Sequence, residues 1–596
     1  MTAHEALKTY FGYDNFRPLQ EEIIQSVLDG RDTLALMPTG GGKSLCFQVP
    51  TMAMGGLCLV ITPLIALMKD QVENLRRRDI RAAAIYTGMT YEQQKVALDN
   101  CQWGPYHFIY VSPERLESEE FRERLARLPI CLIAVDEAHC ISQWGYDFRP
   151  SYLKIAEIRE VIRGERRKGE EAMRQAVPIL ALTATATPDV VDDIQERLAF
   201  RKKNVLRKSF LRQNLSYVVR QTNKKADEIV HILSKVPGSA IVYVRNRQRA
   251  QELAAYLNEK GLSADFYHAG LTSKERAAKQ EAWRAYPHPL PKGKGVTRVM
   301  VSTNAFGMGI DKPDVRMVIH HDLPDTIEAY FQEAGRAGRD EQRAFAVLLY
   351  DPAQDKAKAR KRVSDNYPPK EFVTDVYHKT CDFLGVGAGS GQGYTFMLPI
   401  NDLCRIMHLP ILQTYSALHL LTQAGYICFQ EEQEIQPRVK ILISQREMNE
   451  YGLSEQQYKL LELLMRKYSG IFTDLQYVHF DQLTTPITNS PSPMANRQSL
   501  HDLLVSLAQR HIITYIPHET ANTLTFTRER QTDIYLPTTI YDNHRQQYIE
   551  KLKAMVEYAD NQLYCRSQLL LSYFGETDAA TCGTCDVCRQ KTKTQC

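Results

Sequence analysis

Nowhere in the 596 residues does an uninterrupted apolar run reach the roughly eighteen positions that a membrane-crossing helix needs, and no charged stub followed by an apolar run opens the chain. A membrane-spanning role is not expected, and a cytosolic location, nucleoid-associated in a bacterium, is. Charge of one sign is scarce too: 74 Lys and Arg face 70 Asp and Glu, a net of +4 at pH 7. Binding to nucleic acid therefore has to rest on local patches such as RKKNVLRK, 201–208, and such a patch alone is usually a solvated face. A disulfide framework is also missing. Of the thirteen cysteines, those such as Cys46, Cys58, Cys131 and Cys140 lie in apolar segments, where free cysteine acts as a small hydrophobe. Four others cluster near the C-terminus. No short-period repeat occurs.

What is present is 44% hydrophobic and 24% charged residues, the usage of a globular chain long enough for several domains. The first third alternates short apolar runs with helix-length segments: DTLALM, KSLCFQVPTMAM, LCLVIT, LMKDQVENLRRR. That βαβ rhythm returns from about residue 215 with AIVYVRN, RVMVST and MVIHHDL, which predicts two parallel-sheet domains, 1–205 and 206–362, joined near 200–215. The texture then changes. GVGAGSGQGY precedes INDLCRIMHL, YSALHLLTQAGYI and an expected strand pair, ICFQEE with RVKILIS, a winged-helix pattern over 363–447. Helix-loop-helix-hairpin units also occur without any DNA role. A similar run from YKLLELLMRK to LTFTRER predicts a second such domain over 448–540, with PITNSPSPMANRQ as a loop, and 541–596 remains as a helical zinc module.

MPTGGGKS, 37–44, brings the first chemistry. Beside Thr39, the glycines Gly40, Gly41 and Gly42 let backbone N–H groups close around a triphosphate, Lys43 reaches the β- and γ-phosphates, and Ser44 can ligate Mg²⁺. The pattern departs from GxxxxGK[ST] where Met37 replaces the first glycine. LIAVDEAH, 132–139, is an apolar strand ending in two carboxylates: Asp136 suits Mg²⁺ held through water, and Glu137 suits orienting and deprotonating an attacking water. Strand-end acids also serve as N-caps, but an upstream phosphate loop favours catalysis. QEAGRAGRD, 332–340, begins at Gln332 and sets Arg336 and Arg339 three apart on one helical face, a spacing suited to a γ-phosphate across a cleft; such a pair is more often a surface salt-bridge face, and only the phosphate loop and paired acids raise the functional reading.

Cys565, Cys582, Cys585 and Cys588 give C-x16-C-x2-C-x2-C, a structural zinc pattern, with a disulfide pair as the weaker alternative and Cys596 left over. Cys565 is expected on a helix before LLLSYFGE, the other three on a compact knuckle. A further segment, HCISQWGYDFRP, 139–150, follows the acids with three aromatics and an arginine. Gln143, Gly145, Asp147 and Pro150 break both strand and helix periodicity, so a displaying loop is favoured over a core strand. Trp144 and Phe148 offer faces for base stacking and Arg149 a charge, while His139 and Gln143 stand between them and Glu137.

Taken in order, FGYDNFRPLQEEII, MPTGGGKSLCFQVP, TPLIALMKDQV, YVSPERL, VDEAHCISQWGYDFRP, ALTATAT, YHAGL, STNAFGMGIDKPDVR and QEAGRAGRD resemble the RecQ-type DNA helicases of superfamily two across residues 1–350. The resemblance implies an α/β fold of two RecA-like motor domains followed by a winged-helix region and a zinc module. It implies adenine reading by Gln20 with Arg17 and Tyr13 nearby, and single-stranded DNA at the aromatic loop. The activity implied is ATP hydrolysis, with Mg²⁺ and structural Zn²⁺, driving 3′ to 5′ movement and duplex unwinding in DNA repair and recombination. A winged-helix regulator with ATP as a switch, an annealing protein, or an RNA-directed enzyme are the alternatives. Expected partners are DNA with a single-stranded region and a single-stranded-DNA-binding protein, for a chain acting as a monomer. Two departures stand out. The family places its zinc module directly after the second motor domain, whereas here 350–560 intervene, and AYPHPLPKGKGVTR, 285–298, is a lengthened basic loop. The displaced module either docks on the motor again or stands as a separate DNA-binding tip; the apolar LLLSYF face needs a surface, which favours docking.

Overall fold

The computed structural model describes residues 1–596 other than 39, 87–88, 90, 143–148, 168–176, 288–295, 307–311, 436, 445–446, 450, 469, 474–475, 479, 481–482, 484–496, 511, 517–518 and 596. Thr39, Gln143, Trp144 and Phe148, and most of the basic loop, lie outside the described residues. Among the described residues, no helix is long and apolar enough to cross a membrane.

The chain forms two compact units, one of residues 1–359 with 547–596 and one of residues 360–546. In the first unit, seven short strands run parallel: β1 (Thr33–Leu36), β2 (Leu57–Ile61), β3 (Ala82–Ile85), β4 (Phe108–Val111), β5 (Ile130–Val135), β6 (Ile179–Thr183) and β7 (Val205–Arg207), ordered β3-β4-β2-β5-β6-β1-β7. Runs such as TLAL and LCLVI are buried along their whole length because helices cover both sheet faces. A second parallel sheet holds β8 (Leu215–Gln221), β9 (Ser239–Tyr243), β10 (Ala264–Tyr267), β11 (Val299–Ser302), β12 (Val315–His320) and β13 (Ala344–Tyr350), ordered β10-β11-β9-β12-β13-β8. Parallel pairing sends the loops after each strand to one edge, where ligands of such sheets gather. The loops after β1, β5 and β6 leave side by side, since Leu36 pairs with Thr183 and Val135 with Ala181.

The second unit differs from its sequence reading in one pairing. β14 (Thr395–Met397) and β15 (Ile427–Ile435) pair with the distant β19 (Glu519–Phe526), whereas β16 (Arg438–Ile441) pairs with β17 (Gln476–Tyr477) and β18 (Ile513–Ile516). ICFQEE is therefore not the partner of RVKILIS, and the stretch 363–447 does not close a domain by itself. The cause lies in the cores: Ile427 and Phe429 stand opposite Phe526 and Leu524 above the helices Lys370–Phe383 and Ile411–Gln423, while Val439 and Ile441 join Leu460, Leu464 and Leu504. Alternation shows which face of a strand is buried but not which strand it meets. A whole lobe thus sits within a hairpin.

In the first unit Asp32, just before β1, is 3% exposed and accepts hydrogen bonds from Arg159 Nη2 at 3.0 and 2.9 Å, Arg201 Nε at 3.0 Å, and the Ile179 and Arg201 backbone at 3.0 and 2.9 Å. Burial alone would raise this carboxyl, but Arg201, the backbone donors and Arg159 hold it below the usual range. Asp32→Ala leaves the buried Arg159 charge uncompensated and is expected to cost about 3–5 kcal/mol, read as a lowered urea midpoint; a loss under about 1 kcal/mol would show that the cluster is dispensable.

Candidate active site and metal centre

The phosphate loop leaves β1 at Met37 and enters the helix Leu45–Met54. Gly42 has φ 78°, and a Cβ there would fall 2.4 Å from Gln20 Nε2, so both backbone and space require glycine. Gln20 anchors this approach: its Nε2 donates to Gly42 O at 3.0 Å and its Oε1 accepts from Arg17 N at 2.8 Å. Arg17 Nη1 donates to Gly40 O at 2.9 Å. Gln20 and Arg17 thus hold the loop itself. Gln71 Nε2 donates to Ser44 Oγ at 3.1 Å and aims that hydroxyl.

Asp136 and Glu137 follow β5. Burial, then the adjacent Glu137 carboxylate, push Asp136 up to about 6 against the pull of Lys43. Burial also works to raise Glu137, but Lys43, then His139 and Arg336, outweigh it and hold that carboxyl low. Glu137 adopts φ 47°, a left-handed conformation rare for a side-chain-bearing residue. Its Oε2 is buried without a hydrogen-bond partner, 3.5 Å from His139 Nδ1. His139, 1% exposed, also meets Thr183 Oγ1 at 3.0 Å, which in turn accepts from Thr185 N at 3.2 Å.

From the second sheet come Gln332, Arg336 and Arg339. The two arginines are not on one helical face: the helix Ile327–Ala334 ends before them, Gly335 caps it, and both lie in the following turn. A Cβ on Gly40 would lie 3.3 Å from Arg339 Cγ, so the turn reaches the phosphate loop directly. The result is a cleft of about 810 Å³ lined by Tyr13, Arg17, Gln20, Gly40, Gly42, Lys43, Ser44, Asp136, Glu137, Gln332, Arg336 and Arg339. Gly41 sits in the same loop. Arg149 lies apart, donating to Pro63 O at 3.3 Å, 3.7 Å from Glu114. Gln71 and Thr183 were not singled out in the sequence, although TPLIALMKDQV and ALTATAT carry them; a lone Gln or Thr becomes informative only once its partner is known.

The four C-terminal cysteines converge, their sulfurs all within 4.8 Å of one another. A tetrahedral Zn–S distance of about 2.3 Å places sulfurs roughly 3.8 Å apart, so the set fits zinc. Backbone N–H groups of Cys582, Cys585 and Cys588 point at the sulfurs of Cys565, Cys582 and Cys585 at 3.3, 3.4 and 3.4 Å, a donor set suited to thiolates. Cys565 does not sit on a helix before LLLSYFGE: it is the N-cap of Arg566–Tyr573, the helix that carries LLLSY. Arg566 pairs with Asp586 at 3.0 Å, binding the two halves of the knuckle.

This module lies against the two parallel sheets. Phe574 packs on Phe210 and Phe331 with ring centroids at 5.3 and 5.0 Å, and burying such a ring contributes about 1.5–3 kcal/mol. Glu576 accepts from Ser209 Oγ at 2.7 Å and Phe210 N at 2.8 Å. Asp586 accepts from Val219 N at 3.2 Å, capping β8, the edge strand of the second sheet. At Gly575, φ 85°, a Cβ would come within 3.0 Å of Pro188 in the first sheet's domain.

Family models match residues 17–194 (DEAD/DEAH box helicase), 224–341 (Helicase conserved C-terminal domain) and 526–589 (RecQ zinc-binding). A protein of Haemophilus influenzae named ATP-dependent DNA helicase RecQ is 41% identical over 353 residues, 59% of this chain and 54% of that protein. The probable ATP-dependent DNA helicase RecS of Bacillus subtilis is 40% identical over 58% of this chain and 66% of its own. The RecQ-like DNA helicase blm-1 of Caenorhabditis elegans is 37% identical over 61% of this chain and 36% of its own. The chain spans about half the length of the first of these relatives.

The freshly purified, reduced protein is expected to hold one zinc per chain, and Cys585→Ser to lose it and render 547–596 sensitive to protease while both motor sheets stay folded. Metal analysis finding no zinc in the unmodified protein would dismiss the site.

Proposed function

We propose that the chain, whose two parallel-sheet domains match helicase models and whose cysteine segment matches the RecQ zinc-binding model, is a RecQ-type ATP-dependent DNA helicase moving 3′ to 5′ along one strand. One observation carries this reading: a phosphate loop and paired acids from one sheet, and two arginines from the other, line a single cleft, so nucleotide bound there touches both domains. Hydrolysis then changes what holds the domains together, which is how such a motor converts chemistry into closure and opening.

The chain's residues divide the work. Lys43 and the loop amides bind the phosphates, with Arg17 and Gln20 fixing the loop from behind. A Mg²⁺ ion, when bound, neutralises charge on the phosphate oxygens. Ser44 and Asp136 fit it: the hydroxyl is aimed by Gln71, and Asp136, buried beside another carboxylate, is relieved by a neighbouring cation. Glu137 is held ionised with an unsatisfied oxygen, the state of a base awaiting water. Arg336 and Arg339 stabilise charge on the transferring group, and Gln332 orients beside them. His139, bonded to Thr183, joins the base to the segment that continues into Trp144, Phe148 and Arg149. The composition of that segment supports a stacking platform for single-stranded DNA.

Glu137→Gln is expected to leave nucleotide binding intact while lowering DNA-stimulated hydrolysis about 10²-fold or more, and Lys43→Ala to weaken binding itself. Steady-state hydrolysis with no polymer, single-stranded DNA, duplex DNA and RNA checks both; equal stimulation by RNA, or hydrolysis without strand separation, would overturn the reading. Replacing Trp144 and Phe148 by Ala should remove stimulation far more than the basal rate.

Protonation gives a separate expectation. Asp136 takes up a proton below about pH 6, and a carboxylate must lose that proton to ligate a cation. Mg²⁺ affinity should therefore be steady above pH 7 and fall about tenfold per unit below pH 6. Mg²⁺ titrations of the nucleotide complex across pH 5–8 check this, and a flat profile would remove Asp136 from the residues that hold the metal.

A further inference from the structure

The helix Ile327–Ala334 has two occupied flanks, and only one faces the cleft. Gln332 lines the cleft, and the turn that the helix feeds carries Arg336 and Arg339 there. The other flank rests on the module of residues 547–596. Tyr330 packs on Tyr558 with centroids at 5.3 Å, Phe331 on Phe574 at 5.0 Å, and Glu328, 3% exposed, lies 3.5 Å from Lys551. Three of four successive residues, 328, 330 and 331, are thus held from outside the second sheet. On the sheet side Glu333 meets His320 Nε2 at 2.9 Å, and the His320 ring, 1% exposed, stacks on Tyr243 at 5.4 Å.

We propose that the zinc module braces this helix, with Tyr558, Phe574 and Lys551 as positioning residues that fix where Gln332, Arg336 and Arg339 stand in the cleft. Among the described residues none of the module lines the cleft, so its effect on Gln332, Arg336 and Arg339 passes through the helix. Its own rigidity comes from the cysteine knuckle and from Arg566, which bonds both Asp586 and the Tyr558 carbonyl. Zinc bound at one end thereby defines the place of Tyr558, and Tyr558 that of Tyr330. An eight-residue helix joined to a turn has little stiffness of its own, and displacements near 1 Å at a transferring phosphoryl group can reduce turnover about 10²-fold.

The proposal rests on ATP hydrolysis in this cleft, and its test separates the two. Full-length, zinc-loaded protein is compared with Tyr558→Ala, Phe574→Leu, Lys551→Met and the conservative Tyr558→Phe. Zinc content, ADP affinity, affinity for ADP–aluminium fluoride, and kcat and KM for ATP with single-stranded DNA are measured. The braced helix predicts retained zinc and ADP affinity within about twofold, a fall in kcat of about 10- to 100-fold, a parallel loss of affinity for the transition-state mimic, and recovery in Tyr558→Phe. If a variant sheds its zinc, those that keep it decide. Zinc-replete variants with unmodified kcat would overturn the brace, as would losses of kcat that only track losses of ADP affinity. No hydrolysis by the unmodified protein would overturn the enzymatic reading instead.

Discussion

Three phenylalanine rings, at positions 210, 331 and 574, are the contact on which the placing of the cleft-lining helix depends. One comes from the connector between the motor sheets, one from the helix leading to the arginines, and one from the zinc module; all three are buried. No two lie near each other in the chain, so the contact forms only when both sheets and the module are folded. Gln332 is the next residue after one of these rings. The polar geometry of the cleft is therefore set from behind by an apolar junction, where displacement opens a cavity and loses dispersion contacts.

Chemistry that depends on short spacing was legible in the sequence. Gly40 to Ser44, the Asp136–Glu137 pair and the Cys582–Cys585–Cys588 run each act within a few residues of backbone, and the structure brings the first two to one cleft and the last to Cys565. Parallel strands were legible too, because burial on both faces produces runs such as LCLVI. What escaped were relations between distant segments. ICFQEE offered an alternating face that several strands could match, and the nearest in sequence was not its partner. The arginines were spaced for a helix that stops at Ala334, since Gly335 and Gly338 favour a turn there, with Gly338 at φ 63°. The bond from Gln71 to Ser44 joins the helix Ile65–Arg76 to the end of the phosphate loop and has no local signature.

A module displaced along the chain still docks because docking reads surfaces, not order. Phe574, Glu576 and Asp586 meet Phe210, Ser209 and Val219 whatever lies between. The intervening unit, 360–546, adds closure entropy that grows only with the logarithm of its length, about 0.6 kcal/mol per doubling. The same reasoning covers the lobe within the β15–β19 hairpin, whose register is held by Phe429 against Leu524 and Ile427 against Phe526. Insertions are tolerated where side-chain complementarity, rather than a tight turn, specifies pairing.

The capping of β8 by Asp586 has a consequence for biosynthesis. An uncapped edge strand is a template for pairing with other chains. Here the second sheet can be complete once Tyr350 has left the ribosome, yet the side chain that takes the Val219 N–H emerges only with residue 586. At ~5–20 residues per second that leaves the edge open for roughly 12–47 s of each round of synthesis. A nascent chain of this order is exposed to misassembly for longer than one whose cap follows its sheet directly.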